Sequence, residues 1–207
     1  MARNNYLVVV EGLEHLGALA DLPPQISLAA VQAVNKTAES TRTDSARRIL
    51  AQINFPESYL NPGSKRLFVS RLASRGKPEA AITARRRPTS LARFVTGSLA
   101  DKQVGVQVKV KRNGKTENLR RAFVIRLRGN ADTKGNFGLA VRLPKGESLR
   151  NRSTAVRMAN GLYLLYGPSV QQVFLDNEGE GVAQDVSPVA AEKLAEEFQR
   201  LFDLRTR

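Results

Sequence analysis

Two hydrophobic periods divide the chain. Helical spacing governs residues 27–53, where Val31, Val34 and Ala38, then Ala46, Ile49, Leu50 and Ile53, recur every three or four positions. Ser27 is placed to cap that helix, and the polar interval 39–45 interrupts its stripe midway. Upstream, the β-branched run 6–10 reads as a short strand. Leu13, Leu16 and Leu19 then read as a turn or two of helix stopped by Pro23-Pro24. A second helix follows Ser187 as cap and Pro188 as first residue, with Leu194, Phe198 and Leu201 as its apolar stripe.

Between the helices the period changes to two. In 121–128, Phe123, Ile125 and Leu127 share one parity and Arg126 and Arg128 the other. In 136–144, Phe137, Leu139, Val141 and Leu143 oppose Gly138, Ala140 and Arg142. Residues 162–174 are too apolar to alternate, and Gly167-Pro168 ends that strand. Shorter strands are predicted at 66–73 and 80–85, and a helical turn at 91–94. Val104, Val106, Val108 and Val110 alternate with polar residues before Asn113-Gly114, which predicts a hairpin with Arg112 facing Lys115 and Val108 opposite Leu119. These elements predict an α+β fold. A small antiparallel sheet with a cationic exposed side packs against a long N-terminal helix, with a C-terminal helix and extended basic loops. One domain, 1–207, accounts for the chain, with 175–207 an acidic loop plus helix suited to interactions.

Charge sharpens this picture. Residues 65–157 hold 24 Lys+Arg against 5 Asp+Glu, a net +19, so the rest of a chain of net +14 carries −5. A basic middle between slightly acidic ends points to a polyanion or an acidic protein surface as partner. Nothing near the start reads as a signal peptide, and no run approaches the roughly 18 apolar residues of a membrane span. Both observations fit a protein made in a cytoplasm.

Candidate chemistry is sparse. The chain has no Cys and one His, so thiolate sites and multi-histidine metal sites are excluded. A Ser-His-Asp arrangement would need His15, which sits beside Glu14 in a surface turn. No P-loop, Gly-x-Ser-x-Gly or dinucleotide fingerprint occurs, and no enzyme, cofactor or metal is expected. The clusters 85–87, 109–115 and 150–157 could touch phosphates, but no aromatic residues interleave as base-stacking platforms, so any nucleic-acid contact is expected to be sequence-blind.

A helix carrying Ala29-Ala30-Val31-Gln32-Ala33-Val34-Asn35-Lys36-Thr37, then basic strands, then Ala122-Phe123 and Leu165-Tyr166-Gly167-Pro168-Ser169-Val170, resembles the minor tail protein Z family of tailed bacteriophages, the tail completion proteins. The likeness spans roughly residues 8–205, and the Leu-Tyr-Gly-Pro-Ser element is its most specific piece. Residues 9–13 also resemble the start of head–tail joining proteins. The resemblance implies a non-enzymatic virion component made in the host cytoplasm. It would stand as a ring, sixfold by the likeness, at the head-proximal end of the tail, beside terminator, tail-tube or connector proteins. It carries over no catalytic residues.

Two sets of residues are candidates for contacts. Val170, Val173 and Phe174, apolar beside a turn, are expected to face a neighbouring subunit. Arg85, Arg86, Arg87, Arg150, Arg152 and Arg157 are expected to face genomic DNA or an acidic partner. A sequence-independent nucleic-acid-binding protein is the alternative to the assembly reading.

Overall fold

The structure, a computed structural model, describes residues 23–97, 105–127, 136–144, 147, 149, 154–158, 161–175 and 181–206. The chain forms two compact units. Residues 50–57 and 86–169 belong to the second, and the remainder to the first.

In the first unit the leading element is α1 (Pro24–Gln52), whose last turn passes into the second unit. It starts at Pro24, three residues before the expected cap. Proline suits the first turn, where its missing N–H has no partner to lose, so Pro23-Pro24 opens this helix. Ser27 is buried within it. The polar interval does not break the stripe, because Thr37, Thr41, Arg42 and Ser45 are themselves buried. Ser45 donates its hydroxyl to the Thr41 carbonyl at 2.7 Å, which satisfies it within the helix.

Small side chains on α1 let neighbouring elements approach closely. Ala29, Ala33 and Val34 pack with Leu194, Leu201 and Phe198 of α3 (Val182–Thr206). That helix begins earlier than its capping signals suggest, with Pro188 inside it. Val182, Val186 and Ala190 are all buried at a four-residue spacing, and their burial holds the extra turn despite the proline. Ser187 donates to the Ala183 carbonyl at 2.8 Å and does not act as a cap.

The strands β1 (Leu67–Arg71) and β2 (Ala81–Ala84) form an antiparallel ribbon in this same unit. Arg42 joins it to α1. Its buried guanidinium donates from Nε to the Leu67 carbonyl at 2.9 Å and from Nη2 to the Leu60 carbonyl. The sheet packed on the long helix is therefore this two-stranded ribbon. A short helix, α2 (Val170–Leu175), precedes α3.

The second unit is built on a five-stranded antiparallel sheet. Its order is β3 (Thr89–Ser90), β9 (Leu162–Gly167), β7 (Phe137–Arg142), β6 (Ala122–Arg126), with β8 (Ala155–Arg157) also paired to β9. A separate hairpin joins β4 (Val106–Val108) to β5 (Glu117–Leu119). The core gathers Ala92, Val106, Val108, Ala122 and Leu139, with Leu91, Val124, Phe137 and Leu165 against them.

Register corrects two expectations. Directly paired residues share a face, and Ala122↔Val141 and Val124↔Leu139 put the even positions of β6 on the core side. Phe123 and Ile125 share the other face with Ala140 and Gly138, so that face is largely apolar and not cationic. The hairpin is shifted by two residues, with Val106↔Leu119 and Val108↔Glu117. The Gly114 amide bonds to the Lys111 carbonyl at 3.0 Å, which places Arg112 and Asn113 at the centre of the turn. Neither Asn113 nor Gly114 adopts the positive φ that a type I′ turn requires. A shift of two preserves parity, so Val106 and Val108 still face inward. Among the described residues, no helix is long and apolar enough to cross a membrane.

Candidate functional site

Charge and ion pairing separate the units. The second holds 18 Lys+Arg and 5 Asp+Glu, a net +13, which leaves +1 for the first out of the total of +14. Among the described residues, the first unit nevertheless contains seven of the eight salt bridges, from Lys36–Glu197 at 2.9 Å to Lys193–Asp44 at 2.5 Å. The second contains one, Arg121–Glu147 at 2.6 Å. Cations of the first unit serve its own packing. Those of the second mostly face outward.

The cleft between α1 and α3, about 300 Å³, illustrates the first case. Its rim carries Arg47, Arg48 and Lys193, but Asp44 pairs with both Arg47 and Lys193, and Asp185 pairs with Arg48. Nearby, Glu197 accepts hydrogen bonds from Arg200 and Lys36, which hold its carboxyl down at about 2. Burial pushes the Arg42 guanidinium down from its ordinary value, with Glu39 opposing the shift. The ion pairs form a seam that ties the two helices together, whereas Arg42 is held by backbone carbonyls.

In the second unit, register gathers arginines at one end of the sheet. Arg121 immediately precedes β6, Arg142 closes β7 opposite Leu162, and Arg157 closes β8 opposite Tyr163. Because neighbouring strands run antiparallel, the start of β6, the end of β7, the start of β9 and the end of β8 all lie together. Adjacent strands are about 4.8 Å apart, so the four span roughly 15 Å. Leu162 and Tyr163 are consecutive on β9, so Arg142 and Arg157 project to opposite faces. The basic feature is thus an end of the sheet. Arg120, Arg121, Arg142 and Arg157 are all exposed. Gly161 closes this end: its φ of +68° suits glycine, and its carbonyl accepts the Leu143 amide at 3.2 Å. Lys111, Arg112 and Lys115 add exposed charge at the β4–β5 turn.

The candidates from the sequence fare unequally. Arg157 belongs to the basic end. Arg86 and Arg87 are exposed before β3, while Arg85 is half-buried in the first unit, its backbone tied to Arg66 and Gln171. Arg150, Arg152 and His15 lie outside the described residues. Val170 and Phe174 are 0% and 1% exposed, and Val173 is half-buried. The exposed apolar cluster expected there is corrected: one turn of α2 points Val170 and Phe174 into the interior. Sequence reasoning missed Arg121 and Arg142 as partners of Arg157. The available signal was that arginine opens one strand and closes the next, which antiparallel pairing brings to one end.

Comparison of the chain with protein-family models, with curated proteins and with solved structures finds no match.

Proposed function

We propose that this chain is a structural virion protein of a long-tailed phage, a tail completion or neck component. It forms a ring at the head-proximal end of the tail and enables head–tail joining. The observation that carries this reading is the Leu165-Tyr166-Gly167-Pro168-Ser169 element, the most specific piece of the resemblance, together with its place in the fold.

The element occupies a position that tolerates little change. Gly167 pairs with Thr89, and a Cβ there would meet the Phe94 ring at 2.8 Å. Tyr166 pairs with Ser90. Pro168 ends the ladder, since proline has no N–H to donate. Ser169 is buried, and the chain passes from the second unit to the first between Ser169 and Val170.

Charge division supports an assembly role. A ring subunit needs two unlike surfaces for head-to-tail contact. Here one unit is close to neutral and internally paired, while the other is strongly basic. Terminator, tail-tube or connector proteins are the axial partners this reading requires. Reconstruction of the neck of the particle tests it. A ring of this chain is expected there, and its absence from the particle contradicts the proposal.

A further inference from the structure

The arginine end of the second unit calls for a partner of its own. Its cations are exposed, and among the described residues only Arg121 has an ion pair. Two kinds of partner have the right sign, an acidic protein surface and a nucleic acid, and the spread of the charges separates them.

Among the described residues, an acidic surface on a second copy is offered by α3, where Glu192, Glu196 and Asp203 are exposed at helical spacing. Three carboxylates equal in number the three arginines of this end that have no ion pair, so the distinction rests on how the charges are spread. Duplex DNA presents one negative charge per roughly 1.7 Å, so a 15 Å front meets about nine phosphate charges. The arginines also straddle the sheet, with Arg142 toward one face and Arg157 toward the other. A groove for a single carboxylate would need them convergent. Guanidinium forks splayed across an edge suit successive phosphates along a backbone.

We propose that the end of the sheet formed by Arg120, Arg121, Arg142 and Arg157 is a sequence-independent contact for the sugar–phosphate backbone of duplex DNA. The contact reads charge and not bases, because Arg142 and Arg157 diverge to opposite faces and do not converge on one base edge. Binding releases counterions, so affinity falls steeply with salt. The inference stands on the register and the ion pairing of the second unit, and it holds or fails independently of the phage reading.

The test is fluorescence anisotropy of the full chain with two unrelated duplexes of about 20 base pairs, between about 25 and 200 mM salt. Equal affinity for both duplexes is expected, with a linear log–log salt dependence. Arg142→Gln with Arg157→Gln should reduce the slope by about 2, since each phosphate contact contributes roughly 0.9. Arg142→Lys with Arg157→Lys keeps the charge and should keep most of the slope. Lys36→Gln with Arg47→Gln, in the first unit, should leave it unchanged. Melting of each variant separates lost contacts from lost fold, and if the Gln pair melts early, the comparison rests on Arg120→Gln. No binding at low salt overturns the proposal. So does a slope indifferent to the arginines, or one equally sensitive to the first-unit pair. Displacement of the duplex by poly-glutamate at equal charge overturns it in favour of an acidic protein partner.

Discussion

Arg42 shows how one side chain can fix the arrangement of a unit. Arg42 is 4% exposed, with two backbone carbonyls as acceptors and no salt bridge among the described residues. Burial lowers its pKa, which is the signature of a charge taken out of water, yet the group stays protonated because arginine starts so high. Replacement by methionine keeps the volume but strands the carbonyls of Leu60 and Leu67. We expect a loss of about 3 kcal/mol in urea denaturation, since hydrogen bonds from charged groups are worth roughly 1.5–3 kcal/mol each. Arg42→Lys should lose nearly as much, because a single ammonium cannot reach both carbonyls as the fork does.

Glu197 makes a prediction with a sign. Its carboxyl is lowered from 4.5 to about 2, first by the hydrogen bond from Arg200 and then by that from Lys36. A depressed folded value means the unfolded chain takes up the proton first. The stabilisation is therefore complete above about 4.5 and fades as pH falls toward 2. Glu197→Gln should cost about 1 kcal/mol at pH 7, the upper range for ion pairs near the surface. The variant should differ little from the parent at pH 2. A deficit that persists undiminished in acid would assign the effect to packing.

At the scale of elements, the passage from β9 through Gly167-Pro168 into α2 determines what substitutions there can reveal. Val170 and Phe174 lie four residues apart on the inner side of α2. Phe174→Ala should therefore destabilise the isolated chain by about 3–5 kcal/mol, as buried aromatic truncations do. A variant that melts normally but fails to assemble would instead place Phe174 on a subunit surface. The same passage explains a limit of sequence patterning. Residues 170–174 read as exposed because they lie between a proline turn and an acidic stretch, but four-residue spacing in a short helix is enough to bury two of them.

β6 was misread for a related reason. Both of its parities are apolar, Ala122 and Val124 on one and Phe123 and Ile125 on the other, so Arg126 and Arg128 decided the expected inside face. Pairing with Leu139 and Val141 decides it the other way, and Arg126 reaches water from the end of the strand. In β7, Leu139 belongs to and Phe137 packs on the core that includes Ala92 and Val106, but Gly138 and Ala140 of the expected wet parity are buried as well, and of that parity only Arg142 is exposed. The hairpin between β4 and β5 was legible as a pairing but not as a register. Its turn type depends on the φ of two residues, and Asn-Gly allows more than one choice.

Across the whole chain, long helices and strand periodicity were legible because each is a local pattern. The α+β class follows from them. The division into two units was not legible, because each is assembled from stretches far apart in sequence, with crossings at residues 50, 58, 86 and 170 that local patterns do not mark. The basic excess was visible as a count of residues, whereas its concentration at one end of a sheet needs the register of four strands. The first unit's ion pairs were equally hidden: Lys36 and Glu197 are 161 residues apart in sequence.

The central claim is that this chain is a ring-forming component of a phage neck, and locating it in the particle tests that most directly. Cryo-EM reconstruction of intact virions, with the neck refined under its own symmetry, should show this fold repeated around the axis at the head-proximal end of the tail. The expected copy number is six, by the family resemblance. A single copy, or a mature particle without the chain, would contradict the account.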